Sequence, residues 1–432
     1  MTRPVKKLGL VMATALVVGN MIGSGIFLLP AALAPLGWNA IFGWMLTIAG
    51  GLLLAAVFAA LARSFPRAGG PYAFTEEAFG PAAGFLVAWS YWVSIWVGNA
   101  AVATGAVSYL SVFFPSLGAV TGLHAGVTLG IIWTLTIVNC RGAYLAGSVQ
   151  LATTVLKLLP LFAVIALGAI VVAADGGASL APFEPSAIAF GPITAAATLT
   201  LWGLLGLESA TVPAEKVEDP ERTIPRATMI GMIATGIIYL FASSAVILLQ
   251  PAEDVAASSA PFADFVAAHW GADAGKWLAL FAAISGFGAL NGWILLQGEL
   301  PYAMAKGGVF PRYMASVSAR GTPVAAHLTS SALLTVVVLF NYAKNMTELF
   351  TFVLLLSTAA SLFMYFATAL AALKLRAKGR LPGSPALPLI AAAAAAYALW
   401  AISGAGSEAV AWGLVLLAAG LPVFLVMRIG RR

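Results

Sequence analysis

GNMIGSGIF, residues Gly19 to Phe27, puts two glycines and a serine at the centre of the first long apolar stretch of the chain. A spanning helix gains nothing from them, since glycine inside a helix costs roughly 1 kcal/mol relative to alanine. In a bilayer an unwound turn costs more, because its freed N–H and C=O groups find no water. Irregular backbone is tolerated at membrane depth where it lines a cavity. There the half-helix ends offer bare N–H groups, partly positive, to an anionic ligand. Small residues such as Gly23 and Ser24 equally suit a face for close helix packing. This stretch by itself leaves both readings open.

Around it, the 432 residues are 61% hydrophobic and 9% charged, against roughly 25% charged in an ordinary soluble domain. No charged residue falls between Lys7 and Arg63, or between Glu77 and Arg141. Each gap has room for two spans of about 20 residues. The fold class expected is an all-α polytopic membrane protein, and the alternating pattern of an outer-membrane barrel is absent. Cys140 is the only cysteine, which excludes a disulfide framework and a thiolate metal site. The net charge of +6 lies scattered through loops and points to no nucleic-acid partner. Arg3, Lys6 and Lys7 ahead of an apolar run resemble a signal peptide. The run is too long and lacks a convincing cleavage site, so a retained first span is expected.

About twelve spans are expected, near 8–34, 38–65, 80–114, 121–140, 146–174, 190–213, 225–250, 272–305, 324–342, 347–376, 384–404 and 408–429. In that arrangement 19 of the 22 basic residues fall on one side, Lys276 and Lys344 on the other, and Lys157 inside a span. The positive-inside rule then places both termini in the cytoplasm. A second interruption, TLWGLLGLES from Thr200 to Ser209, breaks span six with Gly203 and Gly206. Spans one and six each open a set of five helices. Glycine-broken segments in corresponding positions of two halves are the best sequence pointer to a transporter's central site.

The polar residues at membrane depth narrow the chemistry. Glu208 follows the second break, where a charged side chain costs about 2.5–3.5 kcal/mol on an insertion scale. It either repairs the break by bonding a loosened N–H or links occupancy to protonation. Lys157 lies about twelve residues into span five. It either snorkels to an interface or pairs with bare carbonyls of the first broken helix, where a sodium ion could otherwise sit. Trp202 and Trp293 lie far from helix ends, where packing competes with stacking on a cation worth about 0.5–2 kcal/mol. Tyr91, Ile95 and Asn99 repeat every four residues and share one helical face. Asn99 faces either the bundle or a ligand, and Ser357 is weaker evidence of the same kind.

These residues resemble the amino acid–polyamine–organocation transporter superfamily, and within it the bacterial arginine–agmatine antiporters. GNMIGSGIFLLP, GGPYAF after span two, YWVSIWVGN, LWGLLGLESA and NGW in span eight carry the likeness over nearly the whole chain. The resemblance implies an inverted five-plus-five repeat of the LeuT type. Residues 1–175 and 185–380 would form the repeats, and 381–432 two extra helices. It implies an alternating-access secondary transporter in the bacterial inner membrane, often a homodimer, exchanging an amino acid or polyamine. No enzymatic activity and no cofactor is implied, while protons and the lipid bilayer are further partners. Carried over by position, Ser24 and Gly25 would hold the substrate carboxylate by backbone N–H and hydroxyl, with Gly23 also in the binding site, and carbonyls of Met21, Trp202 and Leu205 the α-amino group. Trp202 would close over the ligand with Trp293 as a wall. Asn99, the backbone near Ser94 and Ile95, and Ser357 would meet the side-chain cation. Glu208 and Tyr72 match positions tied to gating and pH response.

Departures from that pattern matter. Ile95 and Val102 replace a sulfur-bearing residue, Asn291 a small one, and Lys157 a small apolar one. The lysine instead resembles proton-coupled or exchanging permeases of the same superfamily. A charged Lys157 about 10 Å from a cationic side chain would repel it by about 1.7 kcal/mol at an effective dielectric of 20, roughly twentyfold in affinity. The leading expectation is therefore an exchanger of basic amino acids and related amines. A proton-coupled permease for neutral amino acids using Lys157 is the alternative. A membrane enzyme lacks ligands, because His124, His269 and His327 are far apart and no HExxH occurs. A channel lacks a ring of charge or a filter-like repeat.

Overall fold

The computed structural model describes residues 6–258, 260–343 and 346–429. Arg3, Lys344, Arg431 and Arg432, used above for orientation, lie outside the described residues. Twelve principal helices follow one another, and no strand occurs among the described residues. They are α1 (Leu10–Met21), α2 (Trp38–Ser64), α3 (Pro81–Leu110), α4 (Thr121–Cys140), α5 (Ala143–Asp175) and α6 (Phe190–Trp202). The second six are α7 (Pro220–Leu248), α8 (Ala272–Lys306), α9 (Val324–Ala343), α10 (Met346–Ala377), α11 (Leu387–Gly404) and α12 (Ser407–Ile429). Among the described residues nine helices are long and apolar enough to cross a membrane. α1 and α6 fall short because each is only half of a span. The described apolar part of α9, Val324–Phe340, also falls below that length.

Local chemistry sets the ends. α3 and α7 begin with a proline, whose missing N–H is one the first turn leaves unpaired anyway. α5 closes on Gly176 in the left-handed conformation, φ +65°. Between the ends most residues are apolar all round, as expected where either lipid or a neighbouring helix covers each face. α8 packs on α3 and α5, and α7 packs on α2 and α1. The core runs continuously through these helices, with Trp44, Phe58, Tyr239 and Tyr365 fully enclosed.

Both interruptions read from the sequence are present. α1 stops at Met21, Ile22 leaves helical geometry at ψ 89°, and the chain resumes as a 3-10 turn over Ser24–Phe27. α6 stops at Trp202, and turns carry the chain to a second 3-10 segment, Ser209–Thr211. The two broken segments are tied together at the face that carries the arginine- and lysine-rich loops. Leu8 N–H donates to the carbonyl of Lys216 at 2.8 Å, and Glu218 N–H returns a bond to Leu8 at 2.9 Å. Lys306 at the end of α8 pairs with Glu215 at 2.8 Å, which fastens the same segment to α8.

A cavity between the two broken helices

A cavity of about 640 Å³ lies between the breaks, within the range of about 300–1,000 Å³ usual for small-molecule sites. Met21, Gly23 and Gly25 line it from the first break, and Trp202, Gly203 and Leu205 from the second. α3 contributes a long wall, α8 adds Trp293, and α10 adds Ser357 and Ser361. Among the described residues none of those lining it is charged. A second cavity of about 360 Å³ lies by Phe79, Pro81 and Phe424 and carries no polar side chain. Only the first could orient a zwitterion.

The larger cavity has a direction. Along α3 its lining begins at Tyr91 and continues to Ser108, with Ser111 and Val112 just beyond the helix. It therefore opens toward the face opposite the basic loops, where Val112 is 54% exposed. From Tyr91 back to Pro81, about 15 Å of α3 at 1.5 Å per residue, nothing lines it. Its floor is a hydrogen-bonded trio. Tyr91 donates to one carboxylate oxygen of Glu208, and Tyr365 donates to the other at 2.6 Å. Tyr365 also accepts the Gly206 N–H at 3.3 Å. Glu208 is 1% exposed, and with both hydroxyls donating it acts as a double acceptor. Glutamine offers one acceptor oxygen and no charge, so in Glu208→Gln one tyrosine must turn from donor to acceptor and both bonds lose their charge assistance. Exchange in proteoliposomes is expected to fall at least about tenfold, the weight of one hydrogen bond to a charge. Its variation with pH should flatten. An unchanged rate would remove Glu208 from the transport cycle.

The carbonyls freed by the first break have named donors. Lys157 Nζ of α5 donates to Gly19 O at 2.8 Å and to Ile22 O at 2.6 Å. Trp293 Nε1 takes Asn20 O at 3.2 Å, and the Tyr239 hydroxyl takes Met21 O at 2.8 Å. The Ser285 hydroxyl lies 3.3 Å from both Ile22 O and Gly23 O. Such satisfaction lets a spanning helix unwind in hydrocarbon. At the second break Gly206 adopts φ +113°, which side chains resist, and a Cβ there would lie 3.1 Å from Asn20 Cβ. The Asn20 side chain bridges the breaks by donating to Ser209 Oγ at 2.8 Å.

Of the residues singled out in the sequence, Met21, Gly23, Gly25, Ser94, Ile95, Asn99, Trp202, Leu205, Trp293 and Ser357 all line this cavity. Val102 lines it as well. The Ser24 side chain lies outside what is described; its backbone opens the 3-10 turn. Lys157 sits behind α1, bonded to the carbonyls expected for it, and does not line the cavity. Tyr72 is remote, donating to Glu76 at 2.8 Å in the helix Pro71–Phe79. Asn291 is also off the cavity, donating to Ala146 O at 2.9 Å and Gln150 at 3.1 Å. Sequence reasoning missed Tyr239, Ser285, Tyr365 and Gln297. Hydroxyls and amides inside apolar helices were the available signal, but nothing in their spacing linked them to the breaks.

Comparison with known proteins agrees with this geometry. Residues 8–424 match the family described as amino acid permease. The chain is 36% identical over 344 residues to the cadaverine/lysine antiporter of Escherichia coli K12, covering 78% of this chain and 76% of that one. It is 31% identical over 436 residues to a Bacillus subtilis protein provisionally named an arginine/ornithine antiporter, covering 92% and 91%. It is 28% identical over 421 residues to a putrescine transporter of Haemophilus influenzae, covering 97% and 96%. Two helices unwound against each other around one cavity, in a chain matched from residue 8 to residue 424, place this protein in the amino acid permease family of the amino acid–polyamine–organocation superfamily, a family of transporters and not of enzymes.

Proposed function

We propose that the protein is a secondary active exchanger of basic amino acids and related amines, working by alternating access. The observation that carries this reading is the cavity between the two breaks, open at one face and closed at the other by Tyr91, Glu208 and Tyr365. With the basic loops and both termini in the cytoplasm, as the positive-inside rule directs, this is an outward-open arrangement in a bacterial inner membrane. Residues 1–175 and 185–380 are the inverted repeats that rock against each other, and 381–432 flank them, with homodimer assembly as in the family. The substrate carboxylate meets the backbone at Gly23, Ser24 and Gly25, and the α-amino group meets carbonyls of Met21, Trp202 and Leu205. Met21 O already accepts from the Tyr239 hydroxyl at 2.8 Å and from the Gly23 N–H at 3.1 Å, so an ammonium taking that carbonyl displaces one of them. Asn99, with Ser94, Ile95 and Ser357 beside it, faces the substrate's side chain, between Trp202 and Trp293. The lysine, cadaverine and putrescine named for the relatives support a basic substrate.

Lys157 is less of an obstacle to a cation than its charge suggests. Its ammonium is spent on two carbonyls at the C-terminal end of α1, where the helix dipole supplies roughly half a negative charge. The same bonds support a second reading, a proton-coupled permease for neutral amino acids in which Lys157 carries the proton, and the lack of an acid among the described lining residues fits it too. Counterflow in proteoliposomes separates the two. Labelled arginine or lysine is expected to be trapped by internal arginine, lysine or diamine and not by alanine or leucine. Accumulation of neutral amino acids driven by a proton gradient, without counter-substrate, would overturn the first reading in favour of the second.

A further inference from the structure

Beyond the cavity wall, Asn99 heads a buried line of side chains that crosses four helices. Its members are Asn99 of α3, Gln297 of α8, Ser331 of α9 and Thr136 of α4, each at most 1% exposed. Only Asn99 lines the cavity. The two ends of an amide are told apart by what their neighbours can donate or accept, and here the far end of the line decides. The Thr136 hydroxyl donates to the carbonyl of Ile132 one turn back, at 2.8 Å. A carbonyl only accepts, so the single hydroxyl proton of Thr136 is used there. Thr136 must then accept from Ser331 Oγ, 2.7 Å away. With its own proton committed, Ser331 accepts from Gln297 at 2.9 Å, which only the amide nitrogen can supply. Gln297 therefore turns Oε1 toward Asn99 and receives its Nδ2 at 2.9 Å. Nδ2 keeps a second proton on the end held by Gln297, and the end of the Asn99 amide turned away from Gln297 is its carbonyl oxygen. The Gln297 backbone is pinned as well, its carbonyl accepting from Trp92 Nε1 at 3.1 Å and Ser330 Oγ at 2.7 Å.

We infer that Gln297, Ser331 and Thr136 are positioning residues that set the polarity of the Asn99 amide. Through them the wall presents an acceptor to the substrate and selects a side chain ending in an N–H donor, ammonium or guanidinium, over one ending in an acceptor. The inference rests on the transport reading above and narrows its substrate class. Reversing any one link would turn the Asn99 nitrogen to the cavity and invert the preference.

The test uses the purified full-length protein and three amino acids of similar side-chain length: lysine, norleucine and glutamate γ-methyl ester, whose side chain only accepts. Wild type is expected to bind lysine at least about tenfold tighter than the ester, as one hydrogen bond to a charged donor allows. Ser331→Ala frees Gln297 to turn over, and the lysine-to-ester ratio should fall about tenfold while norleucine binding stays constant. Thr136→Val, on a different helix, deprives the Ser331 proton of its acceptor and should act the same way. A merely structural role would weaken all three ligands alike. A ratio that stays put in both folded variants overturns the inference, as does a wild type that prefers the ester. Lysine binding with an unmoved ratio removes this inference alone; a wild type that binds none of the three removes the transport reading and the inference together.

Discussion

Lys157→Met is expected to abolish exchange and to lower the melting temperature of the purified protein. Methionine keeps most of the volume of the side chain and removes its donors, which separates packing from hydrogen bonding. Gly19 O has Lys157 as its side-chain donor, at 2.8 Å, whereas Ile22 O keeps the Ser285 hydroxyl at 3.3 Å. One buried carbonyl is thus left bare, at about 1–3 kcal/mol, and the favourable charge at the end of α1 is lost, worth up to about 2 kcal/mol in a buried setting. The larger effect should be on the cycle. Lys157 is a direct polar link between α5 and the break in α1, so its loss lets the end of α1 settle into another geometry. Wild-type exchange rates for arginine or lysine in Lys157→Met would detach this bond from transport. Basic exchange that survives while proton-driven uptake of neutral amino acids disappears would favour the permease reading instead.

How much of this was legible in the sequence depended on how local each signal was. The breaks were readable because glycine and serine at mid-span violate what a bilayer demands of a helix, and the violation sits in nine or ten consecutive residues. The wall of α3 was readable because Tyr91, Ile95 and Asn99 keep helical register within one element. Lys157 was readable as a partner for freed carbonyls because a lone amine at that depth has few alternatives. Tyr239, Ser285 and Tyr365 were not readable. Each serves a break from a helix 159 to 263 residues away in the chain, and which face of an apolar helix a hydroxyl occupies depends on how the helices pack. Gln297 was hidden for the same reason, since its role appears only when α3, α4, α8 and α9 are brought together. Tyr72 came by resemblance alone, as a gating position; its side chain lies off the cavity, bonded to Glu76, and nothing in that geometry decides whether it gates.

The sharpest contrast is expected between two glycines two residues apart. Gly25→Ala should cut exchange by roughly ten- to hundredfold, the range that 1–3 kcal/mol of overpacking produces, while Gly23→Ala should leave it within about twofold. Neither position needs the backbone freedom of glycine, for neither has a positive φ. The difference is what a methyl group would meet. At Gly23 the nearest atom is Ala289 Cβ at 3.6 Å, an ordinary contact. At Gly25 the new Cβ would fall 1.8 Å from Cζ3 and 1.9 Å from Cη2 of Trp202. Those two atoms belong to a rigid ring, so the whole indole must swing away from the first break and out of its seat in the cavity wall. A double-mutant cycle isolates this cause. With Trp202→Leu as background the obstruction is gone, and adding Gly25→Ala should then cost little beyond the loss of the tryptophan itself. Should the alanine cost as much in that background as in the wild type, Gly25 is required for its own backbone contacts with the ligand, and the close seating of Trp202 against it is incidental.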